Sequence, residues 1–442
     1  MKKFYYLAVS LAIVFSAASC QKTPSENIEE EAKGNPNQNE TPATGSDAMS
    51  AYEQKQKLEE VGKALLAELD SDNWAETLEF VQDLSYHLGE LESKDGALDQ
   101  INEWVNSIEN QMSQGEYNES DMSLIYKVTI DLALFKGTFT EQRGVFVYDD
   151  SNKSNLKVIT YLDGSTVTLT VDVGAEKGPY QVYYDEWESY GNYYYDGNGN
   201  SYPLSKETDY GYVKIPEFVE ATITKDSQTM IKVRLDIKVT DVNSDGELSL
   251  SDDKISVSAS VTVGDYSVNV SEASFENNTA GASVKLSHGS KQLVSAAANI
   301  NIEKDWSENM NFEDVEFKAA TLSIDVMGAV QVKGEVDYDQ YLFYISNAYN
   351  NQNNKESFTS ALENAEKALN LSVYYDNKPG RQAWLGLEPI QDEGVWTYDV
   401  VIRFADGSAS SVSSFFSENN FKSLIDAFDK WVSKIDNLVG GK

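Results

Sequence analysis

From residue 122 to about 340 the chain alternates apolar and polar residues with a period of two. Ile255, Val257, Ala259, Val261 and Val263 are separated by serines and a threonine. Ala282-Val284-Leu286 and Leu322-Ile324-Val326 repeat the habit, and Val128-Ile130-Leu132-Leu134 opens the series. This period sends successive side chains to opposite faces of a strand. It predicts antiparallel strands with one apolar face and one face of Ser, Thr, Lys and Asp. Asp163-Gly164, Gly264-Asp265, Asn277-Asn278 and His288-Gly289 supply the short turns between runs. The sequence reads as a meander rather than a βαβ array, and it lacks a glycine-rich phosphate loop of Rossmann or P-loop spacing.

Helical spacing frames this region. Leu58, Val61, Leu65 and Leu69 mark a first helix, and Trp74, Leu78, Val81 and Leu88 a second behind Asp72. Leu98, Ile101, Val105, Ile108 and Met112 mark a third. Leu362, Ala365 and Leu369 indicate a short helix over 357–369, followed by hairpin strands at 371–412. A last helix behind Ser417 carries Phe421, Leu424, Phe428, Trp431 and Ile435. The expected class is α+β: N-terminal helices, a long antiparallel β meander curved into a tray or partial barrel, and C-terminal helices. The expected divisions are a helical segment at 50–120, a β domain at 121–345, and a helix, hairpins and final helix packed on it at 346–442. Gly144-Val145-Phe146-Val147-Tyr148-Asp149 is echoed by Gly394-Val395-Trp396-Thr397-Tyr398-Asp399, which reads as a duplicated β unit.

Charge and cysteine use narrow the function. The chain has 35 Lys+Arg against 72 Asp+Glu, a formal net charge of −37. Like-charge repulsion argues against nucleic acid and anionic lipid surfaces as partners. One Cys and two His exclude a disulfide framework and nearly all Cys/His zinc sites. Lys2-Lys3, the apolar run Phe4 to Phe15 and Ser16-Ala17-Ala18-Ser19 form a signal peptide over 1–19. The apolar run is too short to cross a bilayer core of about 30 Å. Residues 20–49 hold Pro24, Pro36 and Pro42 among polar residues, the composition of a flexible tether.

Ala17-Ala18-Ser19-Cys20 resembles a bacterial lipobox, with Ala17 where Leu is usual. The resemblance implies lipidation of Cys20 by acyl chains such as palmitate and a membrane anchor of that kind. Glu26 and Glu29-Glu30-Glu31 are similar to acidic export signals of surface lipoproteins. With the tether, the helices and the Ser/Thr-rich hairpins, the whole resembles uncharacterised cell-envelope lipoproteins of Bacteroidetes type. That resemblance implies outer-membrane anchoring, at the cell surface or on the periplasmic face, and supplies no activity.

Two stretches carry candidate sites. Residues 241–252 resemble the calcium loop of EF-hands and dockerins. Asp241, Asn243 and Asp245 would supply oxygens at positions one, three and five, and Gly246 the turn. Glu247 would give its carbonyl, with Ser249 at nine and Asp252 at twelve. Its flanks read as strands rather than helices, and the same residues also suit an acidic hairpin turn. The second stretch is aromatic: Tyr183, Tyr184, Trp187, Tyr190, Tyr193, Tyr194 and Tyr195 crowd between Gly178 and Pro203. It suits either glycan stacking or strand packing. Neither His87 nor His288 lies near a nucleophile signature, so no catalytic residue is assigned. The expectation is a non-enzymatic binding or structural lipoprotein, contacting glycan or another envelope protein and stabilised by calcium. The alternative is a carrier holding a lipid or other apolar ligand in a cavity of the curved sheet.

Overall fold

A computed structural model describes residues 41–440 except 70–71, 113–114, 119–122, 129–131, 188–191, 196–200, 205–206, 241–243, 245, 247, 249–252, 277–278, 303–316 and 377. Three helices come first: α1 (Ala51–Leu69), α2 (Asp72–Glu92) and α3 (Asp99–Met112). The chain then enters strands β1 (Gly115–Asn118), β2 (Ser123–Val128), β3 (Gly137–Gln142), β4 (Val145–Asp149), β5 (Leu156–Leu162) and β6 (Ser165–Val173). An insertion follows, made of β7 (Glu176–Trp187), β8 (Asn192–Tyr195), β9 (Ser201–Leu204) and β10 (Glu207–Pro216). Next come β11 (Phe218–Lys225), β12 (Gln228–Thr240), β13 (Lys254–Val263), β14 (Tyr266–Glu276) and β15 (Thr279–His288). β16 (Lys291–Ile302), β17 (Phe317–Val326) and β18 (Val330–Asp337) continue the run. Helices α4 (Tyr338–Asn350) and α5 (Lys355–Ala368) interrupt it before β19 (Leu369–Tyr375), β20 (Ala383–Asp392), β21 (Val395–Phe404) and β22 (Ala409–Ser411). The short α6 (Val412–Phe415) and the long α7 (Glu418–Gly440) close the chain.

The fold is α+β, and its frame is one open, curved sheet of 16 strands. From β11 to β22 each strand pairs with the next in sequence, the meander that the period of two requires. β6, β5, β3 and β4 extend it at the far edge, where β3 and β5 run parallel. The sheet runs without a break past residue 345 to Ser411. The insertion leaves this frame: β7 and β10 join β2 and β1 in a sheet of four strands, and β8 pairs with β9. Leu132–Phe135, where alternation predicts strand, instead form a 3-10 turn. Four apolar residues are too few for periodicity to separate the two states.

The two echoed segments begin alike. Arg143-Gly144 and Glu393-Gly394 both take positive φ, as two-residue hairpin turns require. Their pairing differs: β4 lies outermost beyond β3, whereas β21 runs on unbroken through Phe404. The hairpin is repeated, and its place in the sheet is not.

Helices α1, α2 and α3 pack on the apolar face near the hairpin ends of the strands. Met49, Leu58 and Val61 meet Val326, Val330 and Tyr375. Phe80, Val81 and Leu84 meet Leu162, Val167, Met230 and Ile231. Leu88, Leu91, Ile101 and Ile108 close over Phe139, Leu156, Val158 and Val171. α7 lies against α1 and α2. A Cβ on Gly62 would stand 2.8 Å from Leu424 Cδ1, so the missing side chain at 62 lets α1 and α7 approach. Among the described residues no helix is long and apolar enough to cross a membrane.

Candidate functional site

The register of the central strands builds rungs across the sheet. Val233, Val261, Val268, Leu286, Val294, Val326, Val330 and Tyr375 stand side by side on β12 to β19. The next rung on the same face is Leu235, Ala259, Val270, Val284, Ala296, Ile324, Val332 and Val373. Between them, facing the other way, lie Arg234, Ser260, Asn269, Lys285, Ser295, Asp325, Gln331 and Tyr374. One face is therefore unbroken hydrocarbon, and the other is almost wholly polar.

Burial does not follow the usual assignment of these faces. Helices cover the apolar rungs at Val330 and Tyr375, which are buried. Val233, Val261, Val268 and Val284, on four adjacent strands, remain 37% to 41% exposed. On the polar face Ser283, Asn299, Lys333 and Ser372 are buried. The band beside the helices is closed along its rims by Met230 and Tyr266 above and by Ile237, Ile255 and Ala280 below, all buried. The four open valines lie on adjacent strands at about 4.8 Å spacing, so the uncovered stretch is roughly 14 Å long. Contiguous exposed apolar surface of this kind is a candidate binding surface.

Both histidines fasten helix to sheet. His87 Nε2 on α2 lies 3.1 Å from Glu141 Oε2 on β3 and 3.0 Å from Thr160 Oγ1 on β5. Thr160 also donates its hydroxyl proton to that carboxylate. Burial alone would raise the Glu141 pKa, but the bonds from Thr160 and His87 outweigh it and hold the carboxyl below its ordinary value. The Thr160 hydroxyl is buried and committed to Glu141. This cluster ties α2 to β3 and β5. On the other side, Glu68 of α1 accepts from Lys291 and sits 3.1 Å from His288 Nδ1. The bonds from Lys291 and His288 lower the Glu68 pKa. Tyr266 stacks on His288 with ring centroids 4.4 Å apart and donates to the Glu68 carbonyl.

Many of the site residues read from sequence lie outside the described residues. Cys20 lies outside the described residues, as do Asp241, Asn243, Asp245, Glu247, Ser249 and Asp252. Around that loop, Ser244 and Gly246 take positive φ. The Gly246 carbonyl accepts from Gln181 N at 2.8 Å, and Leu248 N donates to the Gln181 carbonyl at 2.6 Å. The loop joining β12 to β13 is thereby hung on β7 of the insertion. Tyr183, Tyr184 and Trp187 lie on β7 and Tyr193, Tyr194 and Tyr195 on β8, while Tyr190 lies outside the described residues. Tyr183 registers with Tyr210 and Tyr194 with Tyr202, so the aromatic stretch forms the insertion and stands apart from the 16-stranded sheet. The open band of valines is not legible in the sequence alone. Alternation identifies its face, but nothing in the alternation says where the helices stop covering it. No protein-family model and no curated protein matches the chain.

Proposed function

We propose that this chain is a non-enzymatic binding lipoprotein, anchored at the outer membrane through Cys20, that holds an acyl chain on the apolar band of its sheet. What supports this reading is the run Val233, Val261, Val268 and Val284, left open between buried rims. A solvated antiparallel sheet ordinarily turns its polar face to water. Here the open rungs are the apolar ones. Each methylene laid on such a surface contributes about 0.8 kcal/mol. Roughly ten fully buried methylenes would give at most ~8 kcal/mol, from which the cost of association is subtracted.

The test is lipid co-purification. Native mass spectrometry of the chain from membranes should show an added mass that organic extraction removes and identifies as a fatty acyl lipid. A chain that carries no lipid, and takes none up when offered, would count against a carrier.

Two further roles belong to this proposal. Calcium at 241–252 would stiffen the loop that meets β7, a structural role rather than a sensing one. Millimolar calcium should then raise the thermal midpoint, and Asp245→Ala should abolish the rise. The tyrosine-rich insertion is the surface offered to glycan or to another envelope protein, because it lies off the main sheet.

A further inference from the structure

On the polar face, four strands frame a small open cleft. Its lining is Thr279 of β15, Asn299 and Asn301 of β16, Ala319 and Thr321 of β17, and Glu335 of β18, with Ala320 at the edge. The register explains the hollow. Gly281, Asn299, Thr321 and Glu335 form one rung, and Thr279, Asn301 and Ala319 the next. Gly281 and Ala319 are too short to fill their places, so the surface dips between longer neighbours.

The chemistry of the lining is one-sided. Asn299 is only 7% exposed, and its Oδ1 has no hydrogen-bond partner. Its Nδ2 reaches Thr321 Oγ1 at 3.4 Å, a long contact that holds the amide weakly. Asn301 Oδ1 accepts from Thr279 Oγ1 at 3.0 Å. Among the described residues, Glu335 brings the one formal charge of the lining and no lysine or arginine joins it. Lys333, next along β18 on this face, is buried with its Nζ 4.6 Å from the Tyr374 ring centre. A buried acceptor without a donor, below an exposed carboxylate, suits a ligand that brings donors and positive charge. A single carboxylate among amides and hydroxyls is too little for a hard divalent cation, which gathers six to eight oxygens. The net charge of −37 draws cations towards the molecule in any case.

We propose that this cleft binds a small ligand through a primary ammonium group, with Glu335 taking the charge and Asn299 Oδ1 accepting a hydrogen bond as its loosely held amide turns. An amino sugar and an amino-alcohol headgroup both carry this group. This site stands on the opposite face from the acyl band and does not depend on it.

The test uses the purified full-length chain and titration calorimetry with glucosamine and ethanolamine, against glucose and ethylene glycol as partners lacking the ammonium. Binding of an ammonium ligand, with none of the neutral ones, is the expected result. Glucosamine alone would name a saccharide source; ethanolamine as well would name a headgroup. Glu335→Gln, at an exposed position, should weaken binding at least tenfold with an unchanged thermal midpoint. Asn299→Leu should do the same, and a shift of the Asn299 side-chain amide resonances on adding ligand reports the contact without mutation. Equal binding of glucose and glucosamine, an unaffected Glu335→Gln variant, or no binding by any of the four would overturn the proposal.

Discussion

Gln54 and Gln382 are almost wholly buried, in places where a core would ordinarily hold leucine. Their bonds explain them. Gln382 Oε1 accepts from Met49 N at 2.9 Å, and its Nε2 donates to the Pro379 carbonyl at 3.1 Å. Gln54 Nε2 donates to the carbonyls of Gln382 and Met49 at 2.8 and 3.2 Å. The pair satisfies backbone groups exactly where the segment before α1 meets the sheet. Gln382→Ala strands the Met49 amide and the Pro379 carbonyl, each costing about 1–3 kcal/mol when buried. A loss of ~2–4 kcal/mol, read as a lower urea midpoint with an unchanged slope, is the expected outcome. Neither glutamine stands out in the sequence. Both look like ordinary polar residues until the chain ends are brought together across more than 300 positions.

The helix cap depends on two carboxylates, and that dependence has a sign. Glu141 and Glu68 are both held below their ordinary values by the bonds they accept. A carboxyl whose folded value is depressed stabilises fully above the unfolded value of about 4.3, and the stabilisation is lost as pH falls through the folded value. Acidification below about pH 4.3 should therefore loosen α1 and α2 from the sheet. The thermal midpoint of the native chain should fall through that range, and in Glu141→Gln it should fall less steeply. Much at this scale was legible in the sequence. Val61, Leu88, Ile101 and Ile108 face the sheet as their spacing predicts. α4 was not legible, because Tyr338–Asn350 follows β18 directly and its aromatic run suits a strand equally well. Its start is fixed by Asp337, whose side chain accepts from Gln340 N, a cap seen only once the chain has turned.

At the scale of the molecule, one sheet carries two unlike faces, and the helices decide which part of the apolar face meets water. The alternation in the central strands β12 to β18 specifies both faces. Coverage is a tertiary matter, set by helix lengths and by where Glu68, His87 and Gln54 dock. That is why a sheet was readable and its open band was not. The band makes the central claim testable by direct titration of a fluorescent fatty acid into the purified chain, alongside Val261→Asp and Val268→Asp. These positions are already 37% and 38% exposed, so a carboxylate there should leave the fold intact. The account predicts saturable binding by the native chain and at least a tenfold loss in either variant, with unchanged thermal midpoints. Native binding that is absent, or that both variants retain in full, would contradict it.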